Sequence, residues 1–130
     1  MSDVKFLVVD DSLTMRRIVI NTLKTLGFTA IVEAVDGKDA MAKLLSEGAD
    51  FLITDWNMPE MNGLELTKWV RGTEQFANLP ILMVTTRGNK DDVIDAMKMR
   101  VNNYIVKPFT AQGLKDKIDV ILKSTESKPT

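Results

Sequence analysis

FLITDWNMPEMNG, residues 51–63, carries the information that decides the fold. An apolar run, Phe51-Leu52-Ile53, leads to an acid, Asp55, and a loop rich in turn formers follows: Asn57, Pro59, Asn62 and Gly63. That order describes a buried strand that delivers a carboxylate to its C-terminal edge and then turns sharply. Three other segments share the shape. Phe6-Leu7-Val8-Val9 runs into Asp10-Asp11, Ile81-Leu82-Met83-Val84 into Thr85-Thr86, and Tyr104-Ile105-Val106 into Lys107-Pro108. In parallel α/β sheets ligands bind beyond the carboxyl ends of the strands. Three acids, a hydroxyl and an ammonium are therefore expected at one crevice.

Strands are expected at residues 5–9, 31–34, 51–54, 81–84 and 104–106, each followed by a stretch of helical periodicity. Asp11 or Ser12 can cap the first helix, whose apolar face is Met15, Ile18, Val19, Leu23 and Leu26, and Gly27 supplies a left-handed end. Asp36-Gly37 turns into a second helix striped by Met41, Leu44 and Leu45 and stopping near Gly48. Leu66, Trp69 and Val70 mark a third, ending near Gly72, and residues 73–80 read as a polar connection closed by Pro80. Gly88-Asn89 opens a fourth, with Asp91 and Asp92 in its first turn, where the helix dipole favours acids, and a stripe of Val93, Met97 and Val101. Thr110 can cap the last helix, which turns Leu114, Ile118 and Ile121 inward, and residues 124–130 read as a polar tail that frays. Regular alternation of strand and helix predicts a single domain over residues 1–130: an α/β sandwich, doubly wound, with a parallel five-stranded sheet and helices on both faces.

The bulk composition narrows the chemistry. Apolar residues are 45% and charged residues 27% of 130, which describes a globular domain with one sizeable core. A net charge of −1 gives no bulk reason for nucleic-acid or membrane binding. No cysteine is present, so disulfides and thiolate metal sites are excluded. No histidine is present either, which removes imidazole catalysis and most transition-metal sites. With no signal-peptide pattern and no run of membrane-spanning length, a cytoplasmic monomer is the expectation.

Carboxylates converging without His or Cys call for a hard cation on oxygen ligands, magnesium or manganese. Such an ion would relieve the repulsion among Asp10, Asp11 and Asp55. An acid held beside it can act as a nucleophile toward a phosphoryl group, while Lys107 neutralises one phosphoryl oxygen and Thr85 hydrogen-bonds another. Trp56 and Trp69 read as packing residues, with Trp56 bordering the acid pocket, and the methionines as core filling. Arg16 and Arg17 read as a solvated helix face.

VVDDS, TDWNMPEMNG, MVTT and YIVKPF, in this order and spacing, resemble the receiver domains of two-component response regulators. The likeness spans about residues 4–123 and is strongest to the single-domain chemotaxis members, through Asp55-Trp56-Asn57-Met58-Pro59 and residues 102–109. It implies a flavodoxin-like (βα)5 fold with strand order 2-1-3-4-5. By position, Asp55 would accept a phosphoryl group from a kinase phosphohistidine; Asp11, Asp55 and the backbone carbonyl of Asn57 would hold magnesium, with Asp10 assisting through water. Thr85 and Lys107 would contact the phosphoryl group, Tyr104 would be an aromatic switch that moves inward as Thr85 moves toward the phosphate, and the Lys107–Pro108 bond would be cis. The implied partners are a chemotaxis histidine kinase, a flagellar motor switch protein and a phosphatase. The implied activity is phospho-acceptance, self-phosphorylation from small phosphodonors and self-dephosphorylation, without turnover of a substrate.

Two positions depart from the usual pattern of the chemotaxis members. Arg87 stands two residues after Thr85, where an acid is common, and Arg100 stands where a helix-ending glycine is usual. With Asn57, Arg87 flanks the path of the water that would remove the phosphoryl group, so both are expected to tune that rate; Arg87 comes from a loop expected to be mobile and without rigid support.

A stand-alone receiver serving a phosphorelay, a phosphate sink or another regulatory partner is the alternative. A haloacid-dehalogenase-like phosphohydrolase would need a second acid two residues after its nucleophile, but Asp55 is followed there by Asn57 and Asp10 by Ser12. A flavin-binding reading has only the fold in its favour and no phosphate-cradling loop.

Overall fold

The structure, a computed structural model, describes residues 4–126. Strands β1 (Phe6–Val9), β2 (Ile31–Ala34), β3 (Phe51–Thr54), β4 (Ile81–Thr85) and β5 (Asn103–Val106) alternate with helices α1 (Leu13–Thr25), α2 (Gly37–Glu47), α3 (Gly63–Gly72), α4 (Lys90–Lys98) and α5 (Ala111–Glu126). The strands form one parallel sheet in the order β2-β1-β3-β4-β5, the flavodoxin-like arrangement expected.

Alternation along each strand sorts the core into two layers. Phe6, Val8, Phe51, Ile53, Leu82, Val84 and Ile105 point to one face, where they meet Val19 and Leu23 of α1 and Leu114, Ile118 and Ile121 of α5. Leu7, Val9, Leu52, Ile81, Met83 and Tyr104 point to the other, against Ala40 and Leu44 of α2, Leu66 and Val70 of α3 and Ala96 of α4. Both faces of the three central strands are covered, which is why they read as continuous apolar runs.

Caps fall where short polar side chains precede the helices. Ser12, Asp36, Asn62 and Asn89 each accept an amide of the first turn, and Glu65 completes a capping box with Asn62. The Thr110 hydroxyl accepts the Gly113 amide at the start of α5. Gly27 takes φ +101° just past α1.

Several apolar assignments are corrected. Ile18, Leu45 and Met97 are solvent-exposed; Val19 and Leu44, read on the same faces, are buried as expected, and in α4 the contact is made by Ala96, one residue before Met97. Three- and four-residue spacings admit either neighbour, and only the angle of the helix on the sheet selects one. The connection at 73–80 contains a 3-10 turn, Glu74–Phe76, with Phe76 packed against Trp69 at 5.9 Å between centroids. Of the tail expected at 124–130, residues 124–126 continue α5 and the rest lie outside the described residues.

Candidate functional site

Register places the acids. Val9 pairs with Thr54 and with Ala34, so Asp10 and Asp55 step off the sheet side by side. The Asp55 amide donates to the Val9 carbonyl at 3.0 Å and the Asp10 amide to the Ala34 carbonyl at 3.2 Å. One carboxylate oxygen from each of Asp10, Asp11 and Asp55 can be chosen so that all three lie within 4.8 Å of one another. Lys107 leaves the end of β5 and inserts its ammonium between them, 3.2 Å from Asp10 Oδ2 and 3.3 Å from Asp55 Oδ2. The other oxygens of these carboxylates accept backbone amides: Asp10 Oδ1 that of Ser12 at 2.9 Å, Asp55 Oδ1 that of Trp56 at 2.7 Å. Asp10 and Asp55 are buried, and Asp11 is open to solvent.

Burial holds the Asp55 carboxyl above the ordinary carboxylate value; the Lys107 ammonium opposes this rise and Asp10 adds to it. Carboxylates this close, one of them destabilised when charged, suit a cation with oxygen preference. The donor set is all oxygen in a chain with no His or Cys, so the residues fit magnesium or manganese. Asp11 and Asn57, with Met58, Pro59 and Asn62, line an open cavity of about 370 Å³ at the mouth of the cluster.

Thr85, at the end of β4, is fully buried. Its carbonyl accepts the Lys107 amide at 2.7 Å, and its hydroxyl accepts the Arg87 amide at 3.2 Å. The Lys107–Pro108 peptide is cis.

Tyr104 lies inward. Its ring is buried edge-on to Trp56, 6.4 Å between centroids, and its hydroxyl donates to the Arg87 carbonyl. Burial, with Asp92 next, pushes the phenol up to about 12.

Arg87 is neither unsupported nor simply solvated, contrary to the expectation of a mobile loop. Its Nε and Nη2 donate to Asn57 Oδ1 at 3.0 and 2.9 Å, its Nη1 lies 3.7 Å from Asp92 Oδ2, and its guanidinium carbon sits 4.6 Å from the centre of the Trp56 ring. Two elements, the β3–α3 loop through Asn57 and the Trp56 indole, and α4 through Asp92, hold one side chain.

Other polar residues matter beyond those read from sequence. Arg16, expected on a solvated face, is buried: it donates from Nε to Glu33 Oε1 and from Nη1 to the Asp10 carbonyl, both at 2.8 Å. Arg71 joins separate turns by donating to the carbonyls of Ala77, Leu79 and Arg100 and to Asn102 Oδ1. Arg100 has φ +69°, the left-handed helix end that a glycine would suit. Gly63 lets α3 approach the backbone of Asp55 so closely that a Cβ there would lie 2.2 Å from the Asp55 carbonyl oxygen. Sequence spacing has no signal for Arg16 or Arg71, because long side chains choose partners across the fold; the Asn62-Gly63 pair was a visible signal for a tight approach.

Residues 6–119 match the family described as response regulator receiver domain. The chain is 55% identical over 123 residues to the chemotaxis protein CheY1 of Helicobacter pylori, covering 94% of this chain and 99% of that one. It is 57% identical over 119 residues to the chemotaxis protein CheY homolog of Campylobacter jejuni, covering 91% and 92%. Among solved structures, chemotaxis protein CheY4 of Vibrio cholerae superposes with a TM-score of 0.84 at 35% identity, over 91% of this chain and 98% of the other.

Proposed function

This chain belongs to the response regulator receiver domain family, and from that premise we propose that it is a single-domain chemotaxis regulator switched by phosphorylation of Asp55. The observation that carries the reading is the Lys107 ammonium seated between Asp10 and Asp55 within a three-carboxylate cluster at the C-terminal edge of the sheet.

In the proposed step an Asp55 carboxylate oxygen attacks the phosphorus of a kinase phosphohistidine. A P–O bond forms as the donor P–N bond breaks, and the electron pair stays on the imidazole nitrogen. Lys107 is placed to pair with a phosphoryl oxygen, and the Thr85 hydroxyl to hydrogen-bond another once it leaves the Arg87 amide. Asp11, Asp55 and the Asn57 backbone carbonyl would hold magnesium or manganese, with Asp10 assisting through water. When bound, that cation offsets the carboxylate repulsion and the charge on the transferring group.

The output is read on α4, β5 and α5, about residues 89–122, where Ile94, Met97 and Val106 are exposed apolar residues. Tyr104 links that surface to Thr85 through the backbone of Arg87. The phosphorylated form would bind a flagellar motor switch protein, with a chemotaxis histidine kinase as donor and a phosphatase to reset it; similarity to chemotaxis proteins over nearly their whole length supports this output. The test is Asp55→Asn, which keeps the shape and removes the nucleophile. Magnesium-dependent labelling by acetyl phosphate and phospho-dependent binding to the motor protein should both vanish, whereas undiminished labelling would refute the assignment.

A further inference from the structure

We propose that Arg16 and Glu33 form a positioning pair for the divalent-cation site, setting the geometry of the Asp10–Asp11 peptide and through it the affinity for the metal. The inference rests on the cation reading of the acid cluster given above.

The ladder between β1 and β2 ends at Val9 and Ala34, so the Asp10 carbonyl lies past the last ladder pair. Arg16 reaches it. The residue sits in the first turn of α1, four beyond the capping Ser12, with its own amide on the Ser12 carbonyl at 2.9 Å. Its side chain folds back over the N-terminal end of the helix and donates Nη1 to the Asp10 carbonyl. Glu33, half-exposed on β2, takes Nε and fixes the plane of the guanidinium.

Asp10 is thus held at four points. Its amide donates to the Ala34 carbonyl, Arg16 holds its carbonyl, the Ser12 amide holds Oδ1 and Lys107 holds Oδ2. Asp11 hangs from the same peptide, and its solvent-open carboxylate is the member of the cluster with the most freedom to move. Anchoring that peptide fixes where the Asp11 side chain starts. Arg16 is a buried cation beside a proposed cation site, with Glu33 as its counter-charge. Coulomb repulsion alone makes Arg16 a liability for metal binding, so removing it should tighten binding if charge were its only effect. A positioning role predicts the opposite sign.

That sign is the test. Magnesium binding to metal-free protein is measured by titration calorimetry at low and high salt, with a melt on each variant. Arg16→Gln should bind magnesium about tenfold more weakly, the size of effect seen when partners that orient metal ligands are lost. The loss should persist at high salt, which screens charge effects but leaves geometry alone. Arg16→Lys keeps the charge without the planar fork and should lose about threefold; Glu33→Gln keeps an acceptor without the charge and should still be about threefold weaker at high salt, where the effect of the lost charge is screened. These two variants carry the test if Arg16→Gln does not fold. Binding in folded variants that equals the parent, or is tighter, overturns the proposal. A parent that binds no magnesium overturns the cation reading itself, a separate outcome.

Discussion

Gly63→Ala perturbs the site without touching any side chain in it. The added Cβ would lie 2.2 Å from the Asp55 carbonyl oxygen and 3.0 Å from both the Asp55 carbonyl carbon and the Trp56 Cα. A tolerable carbon–oxygen contact is about 3.3 Å, so the two backbones must separate by about 1 Å. All three atoms are main chain, and no rotamer change relieves them. If the first turn of α3 retreats, the Gly63 amide loses the Trp56 carbonyl, now 2.8 Å away. If the Asp55 peptide retreats, the Thr54 hydroxyl loses the Asp55 carbonyl at 2.9 Å and the acceptor carboxylate moves with it. Overpacking costs about 1–3 kcal/mol and a lost hydrogen bond about 1 kcal/mol more, for a total of about 2–4 kcal/mol. In a chain of this size that lowers the melting temperature by about 10 °C. Displacing the nucleophile by about 1 Å should slow acetyl-phosphate labelling about 100-fold. Gly72, at the other end of α3, has nothing within 4 Å of a Cβ. Gly72→Ala should therefore be neutral or stabilising by up to about 1 kcal/mol, with parental labelling. Thermal melts and labelling rates of the two variants side by side decide the matter. A Gly63→Ala protein with parental stability and labelling rate would refute the reasoning.

Arg100→Gly should stabilise by about 1 kcal/mol in urea unfolding, because the residue adopts φ +69° and glycine leaves its carbonyl in place for Arg71. Burial and Asp10 raise the Asp55 pKa in the folded state, so the folded chain holds that proton more tightly than the unfolded chain does. Metal-free stability from this group is therefore present at or below the ordinary carboxylate pKa and is lost as pH rises through the raised value. Asp55→Asn should melt several degrees higher than the parent in chelator at neutral pH, whereas magnesium at about 100 times its Kd should add about 2.7 kcal/mol to the parent and much less to the variant. Arg87→Glu removes the contacts to Asn57, Asp92 and Trp56 and should speed spontaneous phosphate release about three- to tenfold by unblocking the attacking water; a slower variant would mean that Arg87 assists the chemistry.

The fold was legible because apolar runs ending in Asp55, Asp10-Asp11 and Thr85 can satisfy burial only as central parallel strands, and parallel strands, with the edge strand that ends in Lys107 beside them, bring their ends together. The gathering of three acids with Lys107 followed from that periodicity together with the order of the strands. Helix faces were legible only to within a residue, as Ile18 and Met97 demonstrate: helical spacing defines a stripe, and the packing angle decides its edge. The partners of the long arginine side chains were not legible. Arg16, Arg71 and Arg87 all look like surface residues in the chain, yet each reaches acceptors brought near only by folding: Asp10 and Glu33, the turns at Leu79 and Arg100, and Asn57 with Asp92. The sequence by itself determined which groups stand at the ends of the strands, because burial and period are local properties of the chain. Only the tertiary structure decided which residues hold those groups in place, because a guanidinium on a flexible stem takes whatever unpaired carbonyl or carboxylate the packed chain leaves within its reach.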